Sequence, residues 1–174
     1  MLDVFRRSLT NQFDAALCML NDCIEKCPDA HWASNVAKYP FWQVAYHTLC
    51  FVDFYLATDG DTFQFRTDLH PNGWRELKDE YPSRRFAKDE LLRYVIICRD
   101  RAREILSAET AESLAGPSGI KFRKCPRVEL HIYNLRHIQH HTGQLSAFLR
   151  RLDSSIDPEW FSHSWKQTPA ASGG

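Results

Sequence analysis

Apolar residues recur at three- and four-residue steps in four long segments of the chain, and this periodicity predicts four helices. The first runs from about Leu2 to Cys27 on a stripe of Val4, Leu9, Phe13, Ala16, Leu17, Leu20 and Ile24, and Pro28 closes it. The second opens at Pro40, a residue suited to a first helical turn, and continues through FWQVAYHTLCFVDFYLATD to Gly60. A long irregular connection, Phe63 to Pro82, leads to the third, from about Ala87 to Ser107, with Leu91, Tyr94, Val95, Cys98, Ala102 and Ile105 on its apolar face. Between Leu114 and Cys125 the run AGPSGIKFRKC interrupts any helix, and GIKFRK is expected as a short extended piece. The fourth helix is expected from near Pro126 to about Leu152, and the closing TPAASGG as a flexible tail.

Helices of roughly 20–26 residues are about 30–39 Å long at 1.5 Å per residue, which suits an all-α four-helix bundle. We expect one such domain over residues 1–168, with a tail at 169–174. The links from the first helix to the second and from the second to the third are both long enough to cross a bundle, so a simple up-down order is not imposed.

Composition narrows the function classes. The 22 basic and 22 acidic side chains balance to a net charge of zero, and 44% of the residues are hydrophobic. That balance argues against nucleic acid as a partner, because polyanion affinity rests on surplus Lys and Arg. The short basic runs Arg84-Arg85, Lys121 to Lys124 and Arg150-Arg151 read as helix ends and solvated faces. No membrane association is expected, since the longest apolar candidate, Phe41 to Ala57, is interrupted by Gln43, His47 and Asp53. The opening MLDVFRRSLTNQFD lacks the apolar block of a signal peptide, so a cytoplasmic location is expected. None of the six cysteines forms a CxxC pair; they read as reduced thiols, with Cys23 and Cys27 the one pair a single helical turn apart.

The chemistry gathers on histidine. Of eight histidines, four fall between His131 and His141. At about 100° per residue from Leu130, a wheel places Asn134, Ile138, Leu145, Phe148 and Leu152 on one face, with His137 and His141 inside it or at its edge. His140 falls about 80° outside Leu130 and points sideways. In the second helix His47 shares its face with Val44, Phe51 and Phe54, while Asp53 and Trp42 point elsewhere. Three imidazoles facing one interior need partners, because an unpartnered buried polar group costs on the order of a few kcal/mol. A shared metal ion supplies one answer: two histidines at i and i+4 present two nitrogens to one cation, and His47 completes a three-histidine set. A polar interior network is the other. Three histidines without a fourth protein ligand leave an open coordination position, and imidazole suits zinc, nickel, iron or copper alike. Asn134 and Gln144, each one turn from a candidate ligand, are candidates for orienting it. Trp42, Tyr46 and Trp74 are candidates for a pocket mouth, His131 and Tyr133 flank the face, and His31, His70 and His163 are expected to be solvated beside loops.

The run RHIQHHTGQL, Arg136 to Leu145, with WQVAYHTLCFVDFYL in the second helix, resembles the DinB-like (DinB/YfiT) superfamily of metal-binding four-helix bundles. That family takes one histidine from the second helix and two from an HxxxH motif running into a Gly-Gln pair. The matching positions here are His47, His137 and His141, followed by Gly143 and Gln144. Where the family often has arginine this chain has Thr142, on what the wheel makes the outward side. The resemblance implies an up-down-down-up bundle, a divalent metal such as zinc or nickel, and a homodimer. It also implies metal-dependent use of a low-molecular-weight thiol, as in transferases that act on small molecules. The leading expectation is a metal-dependent enzyme, a thiol-using transferase or hydrolase of a small molecule. The alternative is a non-catalytic stress-response or binding protein whose metal is structural, and a third is a metal-free dimerisation scaffold.

Overall fold

A computed structural model describes residues 1–77 and 83–160. The expected tail, His163, Tyr81 and Pro82 lie outside the described residues. Among those described, the secondary structure is helical, with isolated bridges and no strand: α1 Leu2–Lys26, α2 Phe41–Tyr55, α3 Lys88–Ala108, α4 Ala111–Ala115 and α5 Arg127–Leu152, plus 3-10 turns at Asp29–His31 and Gly73–Leu77. No helix among them is long and apolar enough to cross a membrane.

α1 buries Leu9, Phe13, Ala16, Leu17, Leu20 and Ile24, the stripe that the periodicity predicts, whereas Val4 is exposed near the helix start. α1 packs against α3 and α5, and α2 packs against α5 and α3. The chain neighbours α1 and α2 thus share the same two partners, and the long first link is what permits this. α3 is started by Glu90, whose carboxylate accepts from the Ala87 amide (2.8 Å) and pairs with Arg84. The short helix α4, which the periodicity does not predict, has a reciprocal cap: Thr110 Oγ1 accepts from the Ser113 amide and Ser113 Oγ from the Thr110 amide.

α2 ends at Tyr55, short of the expected Gly60. The reason is tertiary. The Arg127 guanidinium donates to the carbonyls of Leu56 and Ala57, so the orphan acceptors at this helix end are satisfied by α5 rather than by further turns. The chain then turns against 116–126, where the Gly60 amide donates to the Gly119 carbonyl. Gly119 has φ +80°, and a Cβ there would collide with the Thr58 carbonyl oxygen, so only glycine fits. The expected extended piece at GIKFRK is instead turn and bend, closed by the bridge between Pro117 and Pro126.

Of the 15 residues of α2, 13 are buried, including Asp53 and Trp42. The two exceptions are His47 and Phe51, both half-buried and one turn apart. His47 therefore sits on the least covered face of this helix, not on its core stripe. A helical wheel rests on polarity contrast, and in a helix enclosed nearly all round such contrast is weak.

Candidate metal centre

His47 from α2 meets His137 and His141 from α5. The three offer one nitrogen each, and these atoms lie within 4.8 Å of one another. The Nε2 atoms of His47 and His137 are 3.3 Å apart. Two nitrogens each about 2.05 Å from a tetrahedral zinc ion lie about 3.3 Å apart, so this pair already stands at ligand separation. The 4.8 Å envelope of the three is wider than that. The i, i+4 spacing stacks His137 and His141 on one face of α5, with ring centroids 4.6 Å apart.

Gln144 orients His141. Its Oε1 accepts from His141 Nδ1 (2.9 Å), which assigns the proton to Nδ1 and leaves Nε2 unprotonated for a cation. Its Nε2 donates to His140 Nε2 (3.3 Å), so one amide links the exposed His140 to His141. Asn134 is fully buried but does something else: its Nδ2 donates to the Val52 carbonyl and ties α5 to the α2 backbone.

Apolar rings back the cluster. Phe51 packs on both His47 and His137 (centroids 4.7 and 5.5 Å), and Tyr55 meets His137 edge-on. His47, Phe51 and Tyr55 recur at four-residue steps, a spacing that marks this wall in the sequence itself. Beyond them, Arg123 donates to the hydroxyls of Tyr55 and Tyr133 and lies over the Tyr133 ring at 4.3 Å. Burial pushes the Tyr55 hydroxyl up to about 12, against the pull of Arg123, so it stays protonated at neutral pH.

On the other side of the cluster lies a cavity of about 220 Å³, whose lining includes His47 and His141. None of the expected mouth residues lines it. Tyr46 is buried, stacked on Phe86 and hydrogen-bonded to the Leu69 carbonyl; Trp42 is buried; Trp74 meets the Phe54 ring edge-on. The mouth comes from the loop before α2, Val36 to Tyr39, which no helical period singles out.

Two other histidines sit where local sequence does not place them. His70 is only 1% exposed: Nδ1 accepts from the Arg66 amide, Nε2 donates to Tyr94, and Tyr94 donates to Asp53, which pairs with Arg101. Burial drives His70 down to about 4 and raises Asp53 above the usual carboxylate range. His131 is fully buried, donating Nε2–H to Glu109 (2.9 Å), which also pairs with Arg127. Burial holds His131 below its ordinary value, against the attraction of Glu109. For Glu109, burial pushes upward but bonds from Ser113, His131 and Arg127 outweigh it and keep the carboxyl below its usual range. Thr142, expected on the outward side, is 1% exposed, because α1 and α2 both pack on α5 and cover more of it than a single apolar arc suggests.

All six cysteines are free thiols, and burial raises those of Cys23 and Cys27 to about 12 and about 11, so neither is an activated nucleophile. Comparisons of the chain with protein-family models, curated proteins and solved structures matched nothing.

Proposed function

We propose that this chain is a divalent-metal-binding four-helix bundle of the up-down-down-up, DinB-like kind, and a metal-dependent enzyme acting on a small molecule as a thiol-using transferase or hydrolase. The observation that carries this reading is the convergence of His47, His137 and His141 beside a cavity, with two of the nitrogens 3.3 Å apart. The partners differ from those of the other buried histidines: His70 faces a tyrosine hydroxyl and His131 a carboxylate, whereas the Nε2 atoms of His47 and His137 face each other and His141, held by Gln144, stands beside them. Zinc and nickel both suit three imidazoles.

A divalent cation held there supplies Lewis acidity, which favours the thiolate form of a thiol or the hydroxide form of water at neutral pH. The remaining work belongs to the chain. Gln144 holds His141 in the tautomer that keeps Nε2 available. Phe51 and Tyr55 exclude water from the α2 side and limit how His137 can turn. The cavity against His47 and His141 gives a small molecule a place next to the open coordination position. The low-molecular-weight thiol and the homodimer enter this proposal from the family resemblance.

Elemental analysis of untagged protein tests it. Wild type should carry or take up about one equivalent of zinc or nickel, a His137→Ala/His141→Ala double variant should carry none, and His140→Ala should keep the full equivalent. Wild type that takes up neither metal would sink the enzyme reading, and equal loss in His140→Ala would show that the ligand set is wrong.

A further inference from the structure

The cavity beside the histidines has a definite size and chemistry. Its carbon walls come from Val36, Ala37, Tyr39 and Val44, and its polar wall from His47 and His141 with Lys38, Gln43 and Gln144. The loop that forms its mouth is a tight reversal: the Val36 amide donates to the Tyr39 carbonyl (2.9 Å), the Phe41 amide to the Ser34 carbonyl (3.0 Å), and Asn35 bridges Pro40. Trp32 anchors this reversal through its indole N–H to the Phe86 carbonyl and a ring contact with Phe41. These contacts hold the wall in place.

A carbon-lined cavity of roughly 150 Å³ holds one benzene, so about 220 Å³ holds one ring with a short arm and excludes a strand, a helix or a peptide-sized molecule. We propose that the substrate of this site carries an apolar group of single-ring or branched-alkyl size, which seats between Val36 and Val44 and directs its polar end at His47 and His141. The inference rests on the reading of the histidines as the reactive centre, and it adds the class of molecule: a small aryl or alkyl compound with one donor group, rather than a molecule of peptide size.

Methyl and histidine-ring NMR of the full chain, with benzyl alcohol as the probe and ethanol as its ringless control, tests this without any activity assay. Benzyl alcohol should shift the Val36 and Val44 methyls and the His47 and His141 ring protons, and should bind at least about tenfold more tightly than ethanol, the gain expected from burying a ring. Val44→Phe fills the cavity from its floor, and Ala37→Trp blocks it from an exposed loop position with no core packing to disturb. Either should cut benzyl alcohol affinity about tenfold and leave zinc uptake at one equivalent. Zinc bound but no cavity shifts, or shifts that survive both substitutions, overturns the inference and spares the metal reading. Cavity shifts that the substitutions abolish, in a protein that takes no zinc, support the pocket and overturn the metal reading.

Discussion

Helix α5 presents histidines to two very different surroundings. At its N-terminal end, His131 and Arg127 close on Glu109 from the segment before α4, and the same Arg127 caps the end of α2. A few turns on, His137 and His141 meet His47, all three half-buried, against a cavity. In the first place the protein supplies the counter-charge and seals the group from water; in the second it gathers imidazole nitrogens and leaves space. Closure on a carboxylate marks a structural cluster, since buried polar groups are kept only when paired. Convergence of three imidazole nitrogens on one point is instead an arrangement compatible with a metal site.

Breaking the closed cluster should have the largest effect. Glu109→Ala strands a buried guanidinium beside a buried imidazole and should cost about 3–5 kcal/mol in urea unfolding, while the folded fraction keeps its metal uptake. Loss of metal in that variant, with the fold intact, would show the two regions to be one coupled site.

Acid comes next. His70 and His131 are both held below the ordinary histidine value, so the unfolded chain binds more protons than the folded one as pH falls from about 6.5 toward 4, and stability drops over that window. Glu109, held below its usual range, adds its own loss as pH falls past the ordinary carboxylate value, while Asp53, held above, works in the opposite sense. Metal-free protein should lose on the order of 2 kcal/mol between pH 7 and pH 5, and His70→Gln should flatten the slope. An unchanged slope in that variant would place the acid sensitivity at His131 instead.

The smallest of these effects sharpens the open side. Gln144→Leu removes the group that orients His141, and should weaken zinc binding about 10- to 100-fold while one equivalent still binds at saturation. Competition with a chromophoric chelator reads this directly. If affinity does not change, His141 is oriented by its packing alone.

Particular residues show how much is readable along the chain. The long helices and the i, i+4 relation of His137 to His141 follow from local spacing, and they stand as expected apart from the early stop of α2 and the exposed start of α1. His70 defeats a local reading because its partners, Tyr94 and the Arg66 amide, cover it in a loop whose sequence looks solvated. His131 looks like a weak flanking position because Glu109 lies in another segment, and Thr142 looks outward because burial on α5 comes from two sides. Gln144 is legible by its one-turn distance from His141, although its second bond, to His140, is not.

By itself the sequence determined where the four long helices lie and which of them carries imidazole nitrogens one turn apart, because both depend on a 3.6-residue period that each segment possesses alone. Tertiary structure decided which imidazole receives a carboxylate and which faces a cavity. Side-chain partners come from segments remote in sequence, and only the packing of α2, the Val36 to Tyr39 loop and the Glu109 turn against α5 brings them within reach.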